Sequence, residues 1–278
     1  MGICKYCKTN VGLFKSYHKE CKKKYEEGHK EMLDKMQLYF TKPGSISIKD
    51  LEKELLEISH THLHDDNQFR NTLIEGFEKC VDRAFDDGVL TEDEENILNE
   101  IANHFSFTQE DLNKNNAITR VAQGGVLRDI LNGEIPNRFH VDGHVPFNLQ
   151  KSENLVWVFQ DVAYYEQKTR REFVGGHHGF SMKVAKGLYY RAGAFRGKPV
   201  ETKETVYIDS GFLGITTKHI YFTGPEKSFR IKYDKIVSFT PYSDGIGIQK
   251  DGVRAKPQTF IIGDGWFVYN LLTNISKL

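Results

Sequence analysis

Cys4-Lys5-Tyr6-Cys7, ten residues, then His18-Lys19-Glu20-Cys21: this stretch decides how the amino-terminal part of the chain folds. Two ligand pairs, each with two intervening residues, can place three thiolates and one imidazole around a single tetrahedral zinc ion, a donor set that zinc prefers. Four protein ligands leave no coordination position for water, so the expected Zn2+ is one structural ion that folds the module and performs no reaction. Between the pairs, Asn10-Val11-Gly12 reads as a tight turn separating Lys8 from Phe14, which predicts a short hairpin. After Cys21 the run Lys22–Phe40 has few breakers and mixes charges with Tyr25, Met32, Leu33, Met36 and Tyr39, which predicts a helix. The rival readings are free thiols or a disulfide framework. Three of the four cysteines crowd into the first 21 residues, and no charged-then-apolar leader is read there. A reducing, cytoplasmic setting is therefore expected.

A knuckle, a hairpin and a helix whose first turn supplies the last two ligands resemble a treble-clef zinc finger over about residues 3–40. The finger carries Lys5, Lys8, Lys15, Lys22, Lys23 and Lys24, which could meet phosphate or form an ordinary solvated face. Lys22, Lys23 and Lys24 are the candidate contacts if nucleic acid is the partner.

Outward from this stretch, the 278 residues carry 38 basic and 38 acidic side chains, and mean hydropathy is −0.51. The balance excludes a globally basic nucleic-acid binder and an acidic solvating protein, and no apolar run approaches a membrane span. The zero conceals segregation: residues 1–42 sum to +5, 43–116 to −12 and 117–278 to +7. Glycine is skewed as well, with 9 of 24 in residues 1–138 and 15 beyond, as expected of helices followed by turn-rich strands.

In the acidic middle, Thr41–Gly44 breaks the first helix and Ser47-x-x-Asp50 caps the next, ahead of Leu51, Leu55 and Ile58. A third helix is expected over about Gln68–Asp86 on the spacing of Leu73, Ile74, Phe77, Val81 and Phe85. Gly88 ends it, Thr91 with Glu94 caps a fourth, and Thr108 to Asp111 opens another. Cys80, set among Phe77, Val81 and Phe85, reads as a buried thiol. An EF-hand beginning at Asp82 fails because Asp87 stands where the invariant glycine is needed. His60, His62 and His64 read as a solvated helix end, since i and i+2 diverge on a helix, rather than as a second metal site. Asp86–Glu94, its Ile/Leu helix and the following Phe-Thr-Gln-Glu-Asp-Leu resemble the helical repeats of TerB-like tellurite-resistance domains, over about residues 66–133.

From about residue 145 the apolar period changes from 3.6 to 2, through Val156, Val158, Val162, Ile208, Ile215, Ile220, Phe222, Ile231, Ile246, Ile248 and Phe260. Short antiparallel strands parted by glycine turns are expected, with a final apolar helix over Trp266–Ile275. Gly211–Phe222, the turn at Gly224-Pro225, Ser228–Val237 and that helix resemble pleckstrin-homology-like and GRAM-like domains, including the bacterial group, over about residues 150–277. The resemblance implies a small antiparallel β-barrel closed by the last helix, and binding of protein partners, of anionic lipid, or of a second copy, without catalysis. Lys168, Arg170 and Arg171 are candidate anion contacts. Gly175-Gly-His-His-Gly179 reads as a glycine-rich loop, and a hydrolase centred on His177 and His178 would need partners that no Ser/His/Asp, Walker or HExxH pattern supplies.

The expected fold is therefore a multidomain α+β chain: a zinc finger at 1–40, an all-α region at 41–135 and a PH-like β domain at 145–278. The expected function is a non-enzymatic zinc-binding adaptor of bacterial type, with stress response or phage defence implied only by the TerB-like resemblance. The alternative is a nucleic-acid-associated protein led by the basic finger.

Overall fold

A computed structural model describes residues 2–12, 14–113, 115–138, 146–185, 188–252 and 255–278, the side chains of 169–203 lying outside that description. The chain divides into two compact units, Met1–Asn132 and Gly133–Leu278. No helix among the described residues is long and apolar enough to cross a membrane.

The first unit opens with β1 (Gly2–Ile3) and β2 (Asn10–Gly12), which pair antiparallel with Gly2 opposite Gly12. Asn10–Gly12, read above as the turn, is thus one of the strands. The reversal falls instead at Cys4–Thr9, where the Cys4 N–H donates to the Thr9 carbonyl at 2.8 Å and Lys8 takes a left-handed φ of 59°. α1 follows (Lys19–Thr41), beginning three residues ahead of the expected Lys22. Then come α2 (Ile48–Thr61), α3 (Asp66–Ala84), α4 (Glu92–His104), the short α5 (Gln109–Asn113) and α6 (Ala117–Leu131).

Local side-chain chemistry sets these boundaries. Ser47 accepts from the Asp50 N–H, Asp65 with Gln68 and Thr91 with Glu94 form reciprocal capping boxes, and Asp111 closes onto Thr108. Gly88 turns the chain at φ 85°, and the neighbouring Asp87 carboxylate accepts the Val89 N–H, so this acidic turn uses its charge locally. Met32, Met36, Leu51, Leu55, Phe77, Val81, Leu98 and Ile101 form one buried cluster, each side chain contributing roughly 1.5–3 kcal/mol on removal from water. Close approach inside it requires glycine. A Cβ on Gly28 of α1 would lie 2.2 Å from the His62 Cβ, and one on Gly76 of α3 would lie 2.3 Å from the Met36 Sδ. Cys80 is fully buried and its thiol donates to the Met36 carbonyl at 3.6 Å.

The second unit contains β3 (Leu155–Ala185), β4 (Leu188–Thr216), β5 (His219–Thr223), β6 (Ser228–Lys232), a 3-10 turn at Tyr233–Lys235, β7 (Ile236–Pro241), β8 (Gly245–Lys250), β9 (Gln258–Ile261) and α7 (Gly265–Ile275). The strands form one antiparallel sheet in the order β6-β5-β4-β3-β9-β8-β7. The expected barrel is not closed. Its two edge strands, β6 and β7, are consecutive in the chain and joined by only three residues, but β7 turns back onto β8 and the described edges do not pair. α7 packs on β7 and β8 and buries Phe267, Val268, Leu271, Leu272 and Ile275, with the Phe267 ring 4.9 Å from that of Trp157. Beneath the sheet, Tyr164 meets Phe222, Phe229 and Phe260 at 5.0–5.1 Å between ring centres.

The first two strands are far longer than the short segments expected. Gly175–Gly179 lies inside β3, its residues opposite Gly193–Gly197 of β4, and not in a loop. β9 flanks β3 only at Ala163–Glu166 and β5 flanks β4 only at Phe212–Ile215, so among the described residues the rest of the ribbon has no third strand. Near its base Asp161 takes φ 54°, where the pairing register slips between Phe159 and Val162, as at a bulge.

Candidate metal centre

The turn at Cys4–Thr9 brings Cys4 and Cys7 to one point, and the start of α1 brings His18 and Cys21 to the same point. The helix does this by geometry: His18 is its N-cap residue and Cys21 lies in its first turn. The four ligand atoms all lie within 4.8 Å of one another, and they are the only such group of three or more among the described residues. His18 Nδ1 is 3.4 Å from the Cys7 Sγ and 3.6 Å from the Cys21 Sγ. Its other nitrogen, Nε2, stands 3.0 Å from the Asn10 carbonyl. A carbonyl can only accept, so Nε2 carries the hydrogen, and Nδ1 is the nitrogen that faces the sulfurs and could ligate a metal ion. This is how metal-bound histidines are commonly oriented.

The thiols cannot all ionise without a cation. Burial pushes the Cys4 thiol up, but backbone N–H groups of Cys7, His18 and Tyr6 outweigh it and bring the group down to about 6. The Thr9 hydroxyl, 3.1 Å away, and the Thr9 backbone lower Cys7. Burial, then the neighbouring Cys7 and Cys4, push Cys21 up to about 11. Hydrogen bonding to Cys4 and Cys7 raises His18. Cys4 and Cys7 are thus eased toward the thiolate while Cys21 is held back from it by burial and by their charge, which is the electrostatic condition a bound metal ion relieves.

The site is seated on the helices. Tyr6 meets Tyr25 at a tilt with ring centres 4.8 Å apart, Tyr25 stacks on His64 at 4.2 Å, and Lys8 reaches Asp65 at 3.5 Å. His64 is therefore not the solvated histidine read from the sequence. Docking of Tyr25 covers it, both ring nitrogens lack a hydrogen-bond partner, and burial followed by the nearby His29 lowers it to about 4. His62 bonds the Ile58 carbonyl through Nδ1 at 3.0 Å, and only His60 is exposed. The three do not converge on a metal.

No family model, curated protein or solved structure matches this chain. Its reading rests on its own residues.

Of the other residues singled out above, Lys22 and Lys23 pair with Glu26 and Glu27 one turn along α1, and Lys24 is exposed. Lys168 is exposed on β3, whereas the side chains of Arg170, Arg171, His177 and His178 lie outside the described residues.

A cluster that sequence reading missed lies in the second unit. The Glu153 carboxylate is wholly buried and accepts from the Tyr221 hydroxyl at 2.7 Å, the Gln150 N–H at 2.8 Å, the Thr216 hydroxyl at 2.9 Å and His219 Nδ1 at 2.5 Å. Burial alone would raise this group, but these donors, Tyr221 and Gln150 foremost, hold it down at about 2. Thr216 in turn accepts the His219 N–H at 2.9 Å, so the network ties residues 150–153 to β4 and β5.

Proposed function

We propose that the protein is a non-enzymatic, zinc-bearing adaptor. Cys4, Cys7, His18 and Cys21 would hold one structural Zn2+ in a treble-clef-like finger. The PH-like second unit would be the element that recognises a protein partner or a second copy. The observation that carries the reading is the closed set of four soft donors. A tetrahedral ion with metal–sulfur bonds of about 2.3 Å and metal–nitrogen bonds of about 2.0–2.1 Å separates its sulfur and nitrogen ligands by roughly 3.5 Å. The 3.4 and 3.6 Å separations at His18 suit that ion. Every donor belongs to the protein, so the ion would fold the module and leave no place for substrate. For the second unit, support comes from two neighbouring exposed aromatics, Tyr242 and Trp266, the latter beside Gly265, which packs on the Tyr242 carbonyl.

Elemental analysis of the purified protein tests the first half: one zinc per chain is expected, and less than half a zinc, or full occupancy in Cys4→Ser, refutes it. For the second half, full-length protein and a chain lacking residues 140–278 are compared in an affinity pull-down. The same partners in both would refute recognition by the second unit.

A further inference from the structure

The finger surface has a chemistry that a structural metal does not explain. Through residue 24 it carries seven lysines and a single acidic residue, Glu20. Lys8, Lys22 and Lys23 pair with Asp65, Glu26 and Glu27, while Lys5, Lys15, Lys19 and Lys24 form no ion pair among the described residues. Between the Phe14–Tyr17 loop and the first turn of α1 lies a cleft of ≈ 690 Å³, lined by Phe14, Lys15, Tyr17, Lys19 and Glu20 among others. Phe14 is fully exposed and held at a left-handed φ of 65°, an unfavourable conformation for a bulky side chain on which nothing packs among the described residues. Tyr17 is exposed too, and the ammonium groups of Lys5 and Lys22 stand 5.8 and 5.7 Å from its ring centre.

Unpaired cations interleaved with open aromatic rings suit a ligand that alternates anionic groups with flat faces. We propose that this cleft binds single-stranded nucleic acid, with Phe14 and Tyr17 stacking on bases and Lys5, Lys15 and Lys19 meeting phosphates. A duplex fits less well, because its base faces are already stacked on one another. An acidic peptide would answer the lysines but has no flat faces for the two rings. The inference rests on the finger being folded, and so on the metal reading.

The test is fluorescence anisotropy of metal-loaded, full-length protein with labelled oligo-dT and oligo-U of about twelve nucleotides, the two arms separating DNA from RNA. Three phosphate contacts predict affinity falling roughly twentyfold between about 50 and 200 mM salt. Phe14→Ala and Tyr17→Ala are each expected to weaken binding about fivefold or more at fixed salt. The double substitution Lys15→Ala/Lys19→Ala should flatten the log–log salt slope by about 1.4. Phe14→Leu keeps an apolar side chain and removes the ring, and should behave as Phe14→Ala does. Zinc content is measured on every variant, so a lost metal marks failure of the finger and not of the cleft. Absence of binding at low salt, equal binding of a duplex or of polyglutamate, or indifference to both ring substitutions in metal-replete protein would overturn the proposal.

Discussion

Replacing Glu153 by Gln removes one charge from a sealed network while keeping its shape. In the folded chain the carboxyl is held at about 2, against an ordinary value of 4.5. That difference corresponds to about 3 kcal/mol favouring the ionised, folded form. Glu153→Gln should therefore cost about 3 kcal/mol at neutral pH, because the amide must turn an N–H toward Thr216 and His219 or toward two fixed donors. The pH dependence has a definite direction. A carboxyl depressed on folding contributes fully above its unfolded value and loses its contribution as pH falls through 4.5 toward 2. The gap between wild type and variant should thus close progressively across that window, and other carboxylates, common to both proteins, cancel in the comparison. Urea denaturation followed by tryptophan fluorescence measures it, because the only two tryptophans, Trp157 and Trp266, both lie in the second unit. A loss below about 1 kcal/mol at neutral pH, or a gap that stays constant down to pH about 3, would refute the reasoning.

Cys80 should resist thiol reagents in the native protein, because burial pushes it up to about 12; a thiol titration read out residue by residue is expected to find Cys80 reacting only in denaturant, and fast labelling of Cys80 in native protein would refute its burial. Gly28→Ala should destabilise the first unit by about 1–3 kcal/mol despite the better helix propensity of alanine, because the new methyl meets the His62 Cβ. Gly76→Ala meets the Met36 thioether and should cost less; thermal unfolding followed by far-UV circular dichroism ranks the two, and the reverse order would refute the packing argument. Thr91→Ala should lose about 1 kcal/mol by removing a capping box, in the same assay.

What the sequence revealed was local. Cys4, Cys7, His18 and Cys21 were legible because a short turn and one helical turn are enough to converge them, and the caps at Ser47, Thr91 and Thr108 because each acts within three residues. The turn and strand at Asn10–Gly12 were exchanged, since glycine at a strand end and in a turn look alike in one dimension. Gly175–Gly179 reads as a loop because glycine weakens an isolated strand; pairing along a whole partner strand overrides that. Closure of the sheet depends on which distant strands pair, and burial of His64 on how Tyr25 docks. Neither leaves a mark in the neighbouring residues. Glu153, just ahead of β3, and His219 of β5, 66 positions apart, are ordinary until the pairing of β3, β4 and β5 brings them together.

α1 serves two masters. Its first turn supplies Cys21, one of the four clustered donors, and its later turns supply Met32, Met36, Tyr39 and Phe40 to the hydrophobic cluster. At about 1.5 Å per residue the rod is roughly 35 Å long, and no turn or proline interrupts it. With the proposed zinc bound, ion occupancy and core packing would feed one cooperative transition, and metal availability would set the melting temperature of Met1–Asn132 as a whole. A fragment cut at the end of the helix would keep its donors yet bare the apolar stripe, and would sooner aggregate than stand as a free finger.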